Sequence, residues 1–237
     1  MDERRVVAIG GGGFSMEPEN LMLDAFVLSL ARSPSPRVCF VPTASGDSPD
    51  YVARFYRAFS SLECRPTDLP LFNRKVDDLE AFVLKQDVIY VGGGNTANLL
   101  AIWRAHGLDD VLTRAWSAGI VLAGISAGMN CWFEESVTDS LGPALTPLTD
   151  GLGLLPGSAC PHYDGEEKRR PAYHHFIESG ELSPGWAADD GAAVVFAGTA
   201  AAEIVSSRPD AAAYRVERAT VGVSEQRLTP RHLGQAT

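Results

Sequence analysis

Four short apolar runs, each stopped by glycine or a turn, constrain what this chain can fold into. Val6–Ile9 leads into Gly10–Gly13, Val38–Val41 into Pro42-Thr43, Val88–Val91 into Gly92–Gly94, and Ile120–Ile125 into Ser126. Short runs rich in β-branched residues, without polar alternation, mark strands buried on both faces and therefore a parallel sheet. Helical patterns lie between them. Glu19–Ala31 carries Leu21, Ala25, Leu28 and Ala31 with Pro18 near its start. Asn95 can cap a helix through Leu99, Leu100 and Trp103 to about His106, which Gly107 stops, and Leu108–Ala118 follows as a second short helix. Alternation through about residue 132 predicts an α/β sheet with helices on both faces.

The character changes after Ser140. Gly142–Gly157 reads as a loop or short hairpin and Glu166–Ser179 as a helix. Ala192–Phe196, Ala202–Val205 and Ala212–Val216 read as short antiparallel strands closing the sheet. With no internal repeat and no long linker, the expectation is one domain over 1–237, its polar tail frayed after about residue 222.

Composition narrows the function. The 237 residues, 45% of them hydrophobic, suffice for a sizeable core. Thirty acidic residues against 20 basic ones give a net charge of −10 with no basic run, which argues against nucleic acid or an anionic membrane as partner. No apolar run approaches the ~18 residues of a membrane span. The start, Met1 to Gly10, lacks the apolar stretch of a signal peptide, so the expected location is the cytoplasm. Cys39, Cys64, Cys131 and Cys160 are scattered without a CxxC, as reduced thiols outside any zinc or disulfide framework would be.

The chemistry concentrates at two strand ends. Gly124-Ile-Ser126-Ala-Gly128 is G-x-S-x-G placed between a buried strand and a helix. There small residues let the chain turn sharply, and the serine hydroxyl stands above the sheet edge beside helix N-terminal amides able to hold an oxyanion. Alternatively Ser126 only caps a Gly-lined turn. Gly92-Gly-Gly94-Asn95-Thr96 also joins a strand to a helix. Its amides can offer a second oxyanion donor or cradle a phosphate, or the segment is a Gly-rich turn with an Asn cap. Gly10–Gly13 fails as a dinucleotide loop: Ser15 stands at the third glycine position, and the next strand ends without the acidic residue that would hold a ribose.

A serine nucleophile needs a base and an orienting carboxylate. His106 closes a helix, His174 and His175 lie within one, and His232 is in the tail. His162 stands apart in the turn-rich Cys160-Pro-His-Tyr-Asp164-Gly165 and is the preferred base. Asp139, Asp164 and the pair Asp189-Asp190 are the candidate carboxylates, and spacing does not choose among them.

Taken together these residues resemble the peptidase E family of S51-type serine peptidases, which includes aspartyl dipeptidases and has cyanophycinases as relatives. Gly93-Gly-Asn-Thr96, Gly124-Ile-Ser-Ala-Gly128, Ser136-Val-Thr-Asp139, Pro161-His162 and Asp189-Asp-Gly191 carry the resemblance, which covers most of the chain. It implies a three-layer α/β sandwich with a mostly parallel sheet, similar to class I glutamine amidotransferases. It implies Ser126 as nucleophile, His162 as base, and an oxyanion and substrate-binding set of Gly93, Gly94, Asn95 and Ala127. For the third member it points to Asp190, where relatives carry Glu before Gly, or to Asp139. Asp190 is preferred as orienter, with Asp139 supporting the site.

The implied partner is a short peptide, and no metal or organic cofactor is required. A homodimer is an option the sequence leaves open. One departure concerns substrate. Aspartyl dipeptidases present an arginine shortly after the nucleophile helix, whereas this chain reads Trp132-Phe-Glu-Glu-Ser136. A strict aspartyl preference is therefore not expected, and Arg169 and Arg170 are the candidates to replace the missing charge. The other readings are an amidase-type relative, for which Ser126 stands where a cysteine is usual, and a non-catalytic binding protein on the same scaffold.

Overall fold

The structure, a computed structural model, describes residues 4–234. The first half of the chain alternates strand and helix: β1 (Arg5–Ile9), α1 (Gly13–Met16), α2 (Met22–Ser29), β2 (Arg37–Val41), α3 (Pro49–Phe59), β3 (Arg65–Asp68), α4 (Leu79–Val83), β4 (Val88–Val91), α5 (Thr96–His106), α6 (Leu108–Ser117), β5 (Val121–Ile125) and α7 (Ala127–Asn130). The four apolar runs become β1, β2, β4 and β5, each parallel to its neighbour, with β3 added at the edge. Successive side chains serve opposite faces, as the two-residue strand repeat requires. Val6 and Ala8 enter a core shared with α5 and α6, while Val7 and Ile9 enter an aromatic core with Phe14, Phe40, Phe55 and Phe59. Helix α5 is capped as its sequence predicts. Asn95 Oδ1 accepts the Asn98 N–H at 2.8 Å, and Gly107 ends the helix at φ 68°.

The second half builds β6 (Phe133–Thr138), β7 (Thr146–Leu148), β8 (Leu155–Cys160), α8 (Arg169–Ser179), β9 (Gly185–Ala188), β10 (Ala192–Ala197), β11 (Ala200–Ser206), β12 (Ala213–Arg218), β13 (Val223–Leu228) and β14 (Arg231–His232). Strands β10 and β11 run antiparallel beside β1, so the larger sheet has the order β14-β11-β10-β1-β5-β4-β2-β3. The smaller sheet reads β13-β12-β9-β8-β6-β7, with β6, β8 and β9 parallel. The protein is thus an α/β fold of two mixed sheets flanked by helices.

Two expectations are corrected. The segment 212–216 does not close the larger sheet; β12 pairs with β9 and β13 in the smaller one. The tail read as frayed after about residue 222 instead supplies β13, paired with β12 from Ala213–Leu228 to Arg218–Val223. Its half-exposed, alternating pattern is that of an edge strand, which needs few apolar residues. Among the described residues no helix is long and apolar enough to cross a membrane.

Candidate active site

Strands β1, β5 and β4 are adjacent and parallel, so their carboxyl ends open side by side, where open α/β sheets hold ligands. Ser126 follows β5 directly and is half-buried. Its φ of 58° and ψ of −111° lie outside the regions favoured by non-glycine residues, at a cost of about 1–3 kcal/mol. Backbone bonds hold the turn. The Ser126 N–H donates to Ile9 O at 3.0 Å, and the Ser126 carbonyl accepts from Met129 and Asn130. The flanking glycines are needed for close approach: a Cβ on Gly124 would lie 2.0 Å from Gly128 O, and one on Gly128 2.4 Å from Val91 O.

The loop after β4 lies against this elbow, with Gly93 packed on the Ser126 side chain. The Gly93 N–H, however, donates to Tyr51 Oη at 3.1 Å, and Tyr51 donates in turn to Ser15 Oγ at 2.7 Å. Asn95 is also spent within the protein. Its N–H reaches Ala44 O at 2.8 Å, Oδ1 caps α5, and Nδ2 donates to Ser140 O at 2.9 Å. Of the four residues expected to hold oxyanion or substrate, Gly94 and Ala127 keep amides with no partner among the described residues. Both line a cavity of about 180 Å³ together with Ser126.

His162 comes two residues after β8 and also has a positive φ, 53°. Its Nδ1–H donates to Asp190 Oδ1 at 2.6 Å, both side chains being nearly buried. Asp164 braces Asp190 from behind, accepting the Asp190 N–H at 2.8 Å and pairing with Arg208 at 2.6 Å. Asp139 is exposed and stands 3.8 Å from Arg169 Nη2, and among the described residues no hydrogen bond or ion pair joins it to His162. Asp190 is thus the one of the candidate carboxylates that bonds the imidazole.

The end of β1 stands between the two halves. Ile9 holds the Ser126 amide, and Gly11 bridges to Asp190, its carbonyl accepting the Gly191 N–H at 2.8 Å. A Cβ on Gly11 would lie 1.9 Å from Asp190 Oδ1 and 2.9 Å from His162 Nδ1. Among the described residues no hydrogen bond joins Ser126 Oγ to His162; such bonds commonly tighten only around bound substrate.

The cavity beside Ser126 is also lined by Thr96, Asn130, Thr138, Asp139, Glu166 and Arg169. Buried Arg169 donates from Nε to Glu166 at 2.7 Å and from Nη1 to Val137 O at 3.1 Å. Arg170 instead pairs with Glu225 and lies over Tyr163 and Tyr214. Glu134 and Glu135 accept the Gly157 and Ser183 amides, so the acids of the cavity are Asp139 and Glu166. Asn130 and Tyr51 were not singled out from sequence. Asn130 follows Ser126 by four residues, a spacing that places it one helical turn on; Tyr51 lies 42 residues from Gly93, and nothing local marks it. Burial pushes the Cys131 thiol well up and Cys160 up to about 12, so neither supplies a thiolate near neutral pH.

Residues 6–204 match the family model of peptidase family S51. The chain is 55% identical over 231 residues to "Uncharacterized peptidase YgaJ" of Bacillus subtilis (strain 168), covering 98% of this chain and 100% of that one. It is 33% identical over 128 residues to a "Peptidase E" of Streptomyces coelicolor, covering 54% of this chain and 51% of the relative. The crystal structure of a peptidase from an acI-B1 Actinobacterium superposes with a TM-score of 0.69 at 20% identity, covering 95% of this chain and 94% of that chain, a likeness of fold.

Proposed function

The chain belongs to peptidase family S51, and on that premise we propose that it is a serine-type peptidase hydrolysing short peptides through an acyl-enzyme on Ser126. The observation that carries this reading is the 2.6 Å bond from His162 Nδ1 to Asp190, set beside a serine held at positive φ. With Nδ1–H given to Asp190, Nε2 is left as the basic nitrogen that takes the Ser126 proton. Ser126 Oγ then attacks the substrate carbonyl, and the free amides of Gly94 and Ala127 receive the oxyanion. His162 returns the proton to the departing amine, and water hydrolyses the ester by the same route.

The side-chain preference is not strictly for aspartate. Arg169, the cation of the cavity, is already countered by Glu166 and faces Asp139. An incoming carboxylate therefore meets no unpaired guanidinium. The test is hydrolysis of dipeptides and tripeptide amides with Asp, Glu, neutral and basic first residues, alongside Ser126→Ala. The expected loss is on the order of 10⁴–10⁶ in kcat. Full activity in Ser126→Ala would remove the serine from the mechanism.

One observation favours a second reading. Since Ser126 and His162 are not hydrogen-bonded, a ligand-binding protein without turnover also fits, and the wild type would then cleave none of the panel.

A further inference from the structure

The carboxylate of Glu225, on β13, gathers donors from three side chains. It is nearly buried although β13 is an edge strand. Oε2 accepts from the Tyr163 hydroxyl at 2.5 Å and from Arg170 Nε at 3.1 Å, and His174 Nε2 stands 2.8 Å away. Arg170 Nη2 bonds Oε1. Burial pushes this carboxyl up, yet the bonds from Tyr163, His174 and Arg170 together hold it below its ordinary value, so it is ionised near neutral pH. Burial, with Glu225 beside it, pushes the Tyr163 hydroxyl up, and the phenol stays a donor. A charge turned inward on an edge strand discourages further pairing, but that purpose does not call for three donors converging on it.

The partners of Glu225 lead to the proposed base and its carboxylate. Tyr163 directly follows His162, whose φ of 53° persists only where its surroundings impose it. Tyr163 is 2% exposed and pinned at both ends, by its N–H to Ala188 O at 3.1 Å and by its hydroxyl to Glu225. A second route runs through Arg170, whose Cζ lies 5.2 Å from the ring centroids of both Tyr163 and Tyr214. The Tyr214 hydroxyl donates at 3.3 Å to Asp189 Oδ2, on the residue before Asp190. Neither Glu225 nor Tyr163, Arg170 or Tyr214 lines the cavity beside Ser126. Glu225 also lies beyond residues 6–204, the span shared with the family.

We propose that Glu225 is a positioning residue for hydrolysis: from behind, through Tyr163 and through Arg170 and Tyr214, it holds the backbone that carries His162 and Asp190 in their bonded arrangement. This rests on Ser126 as the nucleophile and His162 as its base. The polar strand at the end of the chain thereby sets the rate of a reaction it does not touch.

The experiment measures kcat and KM on the dipeptide that the wild type cleaves best, for Tyr163→Phe, Glu225→Gln, Glu225→Ala and the double variant Tyr163→Phe/Glu225→Ala, beside Ser126→Ala. Proton NMR follows the low-field Nδ1–H signal of His162, identified by its loss in Asp190→Asn. Glu225→Ala should lower kcat about ten- to a hundredfold, the range of strain released if His162 leaves its positive φ, with KM within about twofold. Tyr163→Phe should lose several-fold, and the double variant should be no worse than Glu225→Ala, because both changes break one route. Glu225→Gln, which keeps an acceptor for Tyr163, should retain part of the rate. The His162 signal should broaden or vanish in step with kcat. Tyr163→Phe and Glu225→Gln carry the test if Glu225→Ala does not fold. Wild-type kcat with an intact signal in these variants overturns the inference alone, even where urea unfolding shows lost stability; so does a loss that falls on KM, or effects that simply add. Wild-type turnover that Ser126→Ala retains, or no turnover at all, overturns the nucleophile assignment and this inference together.

Discussion

Replacing Asp24 by asparagine should stabilise the protein at alkaline pH and leave it nearly unchanged in acid. Asp24, on α2, is fully buried beneath the glycine loop that follows β1. It accepts the Phe14 N–H at 2.8 Å and the Tyr90 hydroxyl at 2.9 Å. Burial, opposed only in part by those bonds, pushes its carboxyl from 3.8 up to about 7. Between these values the folded protein holds a proton that the unfolded chain releases, so this group's contribution to stability falls as pH rises from about 4 through about 7. The full cost of ionising Asp24 in the fold is on the order of 4 kcal/mol, reached above about pH 8. Asparagine carries no charge. Its Oδ1 can still accept from Phe14, and its amide can donate to Tyr90 Oη, which then accepts. Urea unfolding of wild type and Asp24→Asn across about pH 5 to pH 9 isolates the effect, because shared titrations cancel in the difference. That difference should grow by a few kcal/mol in favour of the variant as pH rises. A flat difference, or one that grows in favour of the wild type, would refute the reasoning.

Two further outcomes follow from the site. Asp190→Asn should lower kcat by roughly 10⁴, because an amide opposite His162 no longer fixes the imidazole tautomer; Asp164→Asn, whose carboxylate meets the Asp190 backbone and Arg208, should cost far less in the same peptide assay. Tyr51→Phe removes the acceptor of the Gly93 N–H. It should reduce kcat about tenfold with KM little changed, since it loosens the loop presenting Gly94 to an oxyanion that exists only in the transition state; a rise in KM at constant kcat would contradict that placement.

Much of this was legible in the chain because the features are local. Apolar runs ending in glycine name the parallel strands, Asn95 and Gly107 bound α5, and Gly124 to Gly128 folds as the strand–turn–helix its spacing describes. The smaller sheet was not legible. Its strands carry residues such as Glu134, Pro156 and Arg227, and they owe their conformation to neighbours far away in sequence. The choice of carboxylate was hidden for the same reason: 28 residues separate His162 from Asp190, and only the fold determines that they meet. Gly93 and Asn95 show the opposite limit. Their motif is easily read, yet the structure spends their polar groups on Tyr51, Ala44, Asn98 and Ser140.

The glycines after β1 gain a meaning that no nucleotide fingerprint could have given them. Ser126 belongs to the larger sheet, through β5, whereas His162 and Asp190 follow β8 and β9 of the smaller one. A serine and its base mounted on different sheets keep their relative position only if the sheets are fastened close to the site. The fastening is the end of β1: Gly11 bridges to Asp190 and accepts from Gly191, while Ile9 holds the Ser126 amide. Backbone alone can do this, because a side chain at Gly11 would occupy the space of the His162–Asp190 bond. A run that looks like a phosphate cradle thus works as the joint between the two halves of the proposed catalytic group. Its distance from the serine in sequence, more than a hundred residues, is what hides that role from a reading of motifs one at a time.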